Sequence, residues 1–176
     1  MSKAANHATR SEKQYVGKRA ELLAQLVLTR RKDVEVIPVG EQFAAGIDLV
    51  VRIHHPVMKG QALPAFGVQV EGTTEPIPDE HRANEYANAR VKHRKTKGFF
   101  LLPVVIFLFS MDGDVGYFGW LMKPEVSTET GPSLGRVESV EMVMIRKKTI
   151  DDMIAQTRSW FETMSDILTK DGSAKK

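Results

Sequence analysis

The sequence predicts an α/β fold with a central mixed β-sheet flanked by helices, and three observations lead there. Segments of helical periodicity alternate along the chain with short β-branched segments. The longest apolar run, Phe99 to Phe109, contains Pro103 and is 11 residues long. A bilayer helix needs about 20 residues, so this run reads as a strand buried within a sheet. The chain has 176 residues, 42% hydrophobic and 27% charged, which fits one folded domain around a single core.

The elements follow in order. Ser11 and Gln14 have capping-box spacing, and Val16, Ala20, Leu23 and Val27 recur at helical intervals, which predicts a helix from Glu12 to Thr29. Residues 1–10 ahead of it read as a flexible arm. Val34 to Val39 alternates as a short strand that ends near Pro38, and Ile47 to Ile53 forms a second. Residues 47, 49, 51 and 53 share one face of that second strand, which leaves Asp48 on the other. After a loop punctuated by Pro56, Gly60 and Pro64, a third strand runs from Ala65 to Glu71, with Phe66, Val68 and Val70 on its apolar face. Gly67, Gln69 and Glu71 take the opposite side.

Asp79 is an apt N-cap for a second helix that reaches Thr96. Phe99 to Ser110 is the central strand, and Asp112-Gly113 is a hairpin signal that leads into Val115 to Met122. Pro124 to Gly135 reads as a loop, and Val137 to Ile145 as a last strand. Thr149 to Asp152 caps a closing helix that reaches Leu168. Residues 11–169 thus form one domain, and 170–176 a disordered tail.

There is no cysteine, which excludes disulfide frameworks, thiol nucleophiles and zinc ribbons. The N-terminal residues carry no apolar run behind their positive charge, so a cytoplasmic location is expected, with no membrane contact. Twenty-five Lys and Arg against 22 Asp and Glu give a formal charge of +3. Its distribution is uneven. Between His81 and Lys97 six basic residues, Arg82, Arg90, Lys92, Arg94, Lys95 and Lys97, face one acid, Glu85. Such a run could be a solvated helix face or a surface that neutralises backbone phosphates.

The polar groups with chemical potential are Glu21, Asp48, Gln69 and Glu71. Residues 69 and 71 point to the same side of a strand, and a hairpin would bring Asp48 beside them. Carboxylates gathered in a partly buried setting repel one another, and a divalent cation relieves the repulsion. Hard oxygen donors without cysteine favour Mg²⁺ or Mn²⁺.

At Gly17-Lys18-Arg19-Ala20-Glu21, Gly46-Ile47-Asp48-Leu49 and Phe66-Gly67-Val68-Gln69-Val70-Glu71 the chain resembles the PD-(D/E)XK phosphodiesterases, most closely their small Mrr-like and resolvase-like branch. The resemblance spans Gly17 to Trp120. It implies a restriction-endonuclease-like three-layer core and a Mg²⁺- or Mn²⁺-dependent endonuclease acting on DNA through the basic run. Such folds often form homodimers, and the context implied is a defence or mobile-element system with its own protein partners. The helix Glu, the strand Asp and the first residue of the (D/E/Q)-x-K unit hold the metal in that family; by position these are Glu21, Asp48 and Gln69.

The fourth position, a lysine in the family, is Glu71 here. Glu71 could serve as a further metal ligand or as the base for the attacking water. Lys92 or Lys95 could supply the missing amine, or two metals could activate the water between them. The alternative is a nuclease fold that has lost catalysis and binds nucleic acid or a protein partner.

Overall fold

The computed structural model describes residues 10–39, 46–54, 63–93 and 101–173. Its elements are α1 (Arg10–Thr29), β1 (Val34–Pro38), β2 (Leu49–Ile53), β3 (Ala65–Thr73), α2 (Glu80–His93), β4 (Val104–Ser110), β5 (Val115–Ser127), β6 (Gly131–Arg136), β7 (Val143–Met144) and α3 (Lys147–Ser173). The seven strands form one open mixed sheet in the order β1-β2-β3-β4-β5-β6, with β7 paired to β5. Only β3 and β4 run parallel, joined through α2; the other pairs are antiparallel. An α/β chain with helices on a mixed sheet is thus what the sequence forms.

Every residue of β4 is buried, as expected of a central strand, but the strand takes up the apolar run only from Val104; Leu101 lies outside it and is 84% exposed, and residues 99–100 are outside the described residues. Successive side chains of a strand point to opposite faces. Val105, Phe107 and Phe109 therefore pack with Ala20, Ala24 and Leu28 of α1 and Ile150, Met153 and Ile154 of α3. Ile106 and Leu108 pack on the other face with Ala83 and Ala87 of α2, Tyr117, Val140 and Met142. The single core expected from chain length is therefore two apolar clusters, one on each face of the sheet. Burial of each large side chain contributes about 1.5–3 kcal/mol, so both clusters are needed to hold a sheet of this size.

Several local expectations are corrected. Ser11 lies inside α1, which begins at Arg10, so it does not stand ahead of the helix as a cap. The stretch 124–135, expected as a loop, is the last four residues of β5, a turn and nearly all of β6. Its Ser, Gly and Pro content suits an edge hairpin, where a missing amide is tolerated, and Gly131 takes a φ of 76° at the turn. Most of the strand expected over 137–145 is irregular. The amides of Val140 and Met142 are taken by Asn88 Oδ1 at 2.8 Å and Asn84 Oδ1 at 2.5 Å rather than by a neighbouring strand. Helix α3 continues to Ser173, into the expected tail. The expected arm lies outside the described residues except for Arg10.

Two polar networks fix the layers. Arg31, just past α1, donates to Asp33 at 2.7 and 2.8 Å and also to Asp151 on α3, and Arg158 of α3 donates to Asp33 at 3.0 Å. The Arg31 guanidinium holds the Asp33 carboxyl below its usual range. Across the molecule, Arg19 of α1 grips Asp114 in the β4–β5 turn through two bonds of 2.7 and 2.9 Å. Asp114 has a φ of 53° there.

Candidate functional site

Helix α1 crosses β3 closely. A Cβ added at Gly72 would lie 2.8 Å from the Val16 carbonyl oxygen and 3.0 Å from the Ala20 Cβ. Gly72, like Phe66 and Val68, faces α1, so Gln69, Glu71 and Thr73 face the α2 side. All three are buried, Gln69 3% and Glu71 8% exposed. Ser110, which pairs with Thr73 across the parallel ladder, is also buried and donates to the Glu75 carbonyl at 2.9 Å. Of the five buried polar residues among those described, four stand in this one stripe, at the carboxyl end of β3 and β4.

Asp48 lies against the backbone of β3 beside that stripe. The β2–β3 register pairs Leu49 with Val68, and Asp48 N–H donates to the Val68 carbonyl at 2.8 Å. Val68 is already the partner of Leu49, so the ladder is irregular at this end, and Ile47, expected on the face of Leu49, Val51 and Ile53, lies instead against Gly67 on the opposite face. Asp48 Oδ2 accepts the Val70 amide at 2.6 Å, in the place where the next carbonyl of the ladder would be. Beyond this point β3 has β4 as its neighbour and no longer β2. Gln69 Nε2 donates to Glu71 Oε1 at 3.2 Å, which orients the carboxylate and leaves the amide oxygen of Gln69 as an acceptor. Gln69 and Glu71 are thus in contact, and Asp48 is bonded to the backbone amide between them where the strands part.

Glu21 does not join them. It lies on α1, on the other face of the sheet, and pairs with Lys18 at 2.9 Å. Among the described residues no three His, Cys, Asp or Glu side chains gather as a metal-holding group. Of the candidate residues, Gln69 and Glu71 are in contact and Asp48 is held on the amide of Val70 between them.

The expected nucleic-acid surface divides. Arg82 is drawn to Glu85 at 3.0 Å and Glu75 at 3.4 Å, so its charge is largely compensated. Arg90 is exposed and rests on Tyr86. Lys92 lies in the last turn of α2, while Arg94, Lys95 and Lys97 lie outside the described residues. Because α2 links two parallel strands, it runs back along them, and its basic end comes to the edge where Val104 pairs with Gly67. That is also the Asp48 end of the stripe.

The sequence reading missed the Tyr86–Arg90 pair and the Asn84 and Asn88 clamp. Spacing of four residues in each case was the available signal. A separate groove of about 510 Å³, lined by Lys123, Glu125, Ser133, Gln156 and others, lies between the outer β5–β6 hairpin and α3, away from the acids. Among the described residues no helix is long and apolar enough to cross a membrane. Comparison with protein-family models, with curated proteins and with solved structures finds no match to this chain.

Proposed function

We propose that the chain is a divergent restriction-endonuclease-like nuclease that hydrolyses DNA phosphodiester bonds with Mg²⁺ or Mn²⁺. The observation that carries this reading is that Asp48 is bonded to the backbone amide between the paired Gln69 and Glu71, at the point where β2 parts from β3. The chain order supports it too: a helix, three antiparallel strands, a crossover helix and a parallel fourth strand, with acids at the opening of the second strand and near the end of the third.

The donor set fits a hard divalent cation. Mg²⁺ is commonly held by one or two carboxylates together with substrate phosphates; Asp48 would supply one, with the Gln69 carbonyl as a neutral second donor. When bound, the cation polarises a phosphoryl oxygen and lowers the pKa of water. Asp48 and Gln69 hold the site. Glu71, oriented by Gln69, accepts the proton of the attacking water in place of the family's lysine; such a positioned base is worth about 10²–10⁴-fold in rate. Arg90 and the basic residues after it hold the phosphate backbone.

Plasmid and branched DNA, incubated with Mg²⁺ or Mn²⁺, test this reading against the Asp48→Asn and Glu71→Gln variants. Cleavage by the wild type and its loss in both variants is the expected result. Equal cleavage by wild type and variants removes the assigned site.

A second reading, a nuclease fold that binds nucleic acid or a protein partner without cutting, is favoured by two observations. Glu71 stands where the family has lysine, and Glu21 is paired with Lys18 away from the other acids. It predicts salt-sensitive DNA binding that persists in Asp48→Asn, with no cleavage in either metal.

A further inference from the structure

Ala83 and Ala87 turn α2 toward the sheet. With about 3.6 residues per turn, positions 84 and 88 fall on one flank of the helix and 86 and 90 on the other. Asn84 and Asn88 are bonded to the 140–142 segment, which packs over Gly119 of β5. The flank that bears Tyr86 and Arg90 therefore looks the other way, toward β3, where Gln69 and Glu71 stand on the same face of the sheet. The reach of Arg82 to Glu75, just past the end of β3, agrees with this direction.

On that flank the Arg90 guanidinium lies 5.0 Å from the centre of the Tyr86 ring, and its Nη2 donates to Tyr86 Oη at 2.8 Å. Arg82 is held by two carboxylates. Arg90 pairs with none among the described residues. A guanidinium is flat, weakly hydrated and permanently charged, and an aromatic partner fixes its plane. An unpaired nucleotide offers the matching chemistry, a base with an open π-face beside a phosphate. In a duplex that face is hidden by the neighbouring base pairs.

We propose that Tyr86 and Arg90 form a stacking platform for an unpaired nucleotide at the candidate site, so that the substrate is a nucleic acid with a single-stranded segment. This rests on the nucleic-acid reading above and narrows it. Tyr86 is a positioning residue in this arrangement, and Arg90 makes the contact.

Fluorescence anisotropy of a labelled DNA oligonucleotide, as single strand and as duplex, tests the platform with the full chain. The wild type is expected to prefer the single strand. Arg90→Lys, which keeps the charge and loses the plane, should weaken single-strand binding about tenfold while duplex binding stays within about twofold. Tyr86→Leu should do the same, and Tyr86→Phe, which keeps the ring, should stay close to the wild type. Position 90 is exposed, so an unchanged melting temperature for Arg90→Lys shows that the variant is folded.

Single-strand binding by Arg90→Lys equal to that of the wild type overturns the platform, as does an equal loss on both DNA forms, which marks a simple phosphate contact. Either result, together with cleavage lost in Asp48→Asn, leaves the nuclease reading standing. If the wild type binds neither form of DNA, both proposals fall.

Discussion

The Asp48 carboxylate accepts the Val70 amide at 2.6 Å and so closes the β2–β3 ladder with a side chain where a backbone carbonyl would otherwise serve. One residue thus has a structural duty and a candidate chemical one, and two substitutions separate them. Asp48→Ala leaves the Val70 amide without its acceptor and is expected to cost about 1–3 kcal/mol in urea unfolding. Asp48→Asn keeps an acceptor oxygen and should stay within about 1 kcal/mol of the wild type, yet it loses Mn²⁺ binding by calorimetry because the charge is gone. Equal destabilisation by both substitutions would show that a neutral amide oxygen cannot replace the carboxylate in this contact.

Gly72 sets how closely α1 can lie on β3. In Gly72→Ala the new methyl group meets a backbone carbonyl and the first side-chain carbon of Ala20, neither of which can swing aside. Helix α1 must shift, at an expected cost of about 1–3 kcal/mol in thermal or urea unfolding. A neutral Gly72→Ala variant would mean that the helix rides farther from the sheet.

The strap over 139–142 is held by α2 rather than by a strand. Asn88 donates to the Val140 carbonyl at 3.0 Å and accepts its amide at 2.8 Å. Asn88→Ala removes both bonds and should destabilise the fold by about 2 kcal/mol. Hydrogen exchange should quicken at Val140 more than at Phe107, which belongs to the opposite core. Unchanged exchange at Val140 would assign its protection to another group.

Asp33 makes stability depend on pH. Its carboxyl titrates below the ordinary range, chiefly because Arg31 donates to it, with Arg158 adding a further bond. A depressed carboxyl contributes stability above its unfolded pKa, near about 3.9, and that contribution is lost as pH falls through the lower folded value. About a third of the Asp33 side chain is exposed, so the advantage of wild type over Asp33→Asn should be only about 1 kcal/mol at neutral pH. Thermal melts of the two proteins should converge in acid. A gap that widens as pH falls would refute this assignment.

Most of the secondary structure was legible because it is locally encoded. Apolar spacing revealed α1 and α3, alternation revealed β2 and β3, and the Asp79 side chain does accept the Arg82 amide at 2.8 Å as an N-cap. Where partners are distant the reading failed: the 140–142 amides are satisfied by two asparagines more than 50 positions away, and the hairpin over 124–135 is stabilised by edge pairing that its composition hides.

The side-chain parity of β3 is fixed by the sequence, since alternation is a covalent property of an extended chain, and it puts Gln69 and Glu71 on a common face, where they meet; at the opening of β2 the ladder is irregular, and only the folded chain decides where Ile47 and Asp48 lie. Where Glu21 would lie was not fixed in this way. Its position depends on which face of the sheet α1 covers, and the Gly72 contact and the apolar cluster around Ala20 decide that through packing between elements far apart in the chain. The same holds for Arg82 and Arg90. Their charge is written in the sequence, but whether a carboxylate cancels it or an aromatic ring displays it depends on neighbours that only the folded chain brings near.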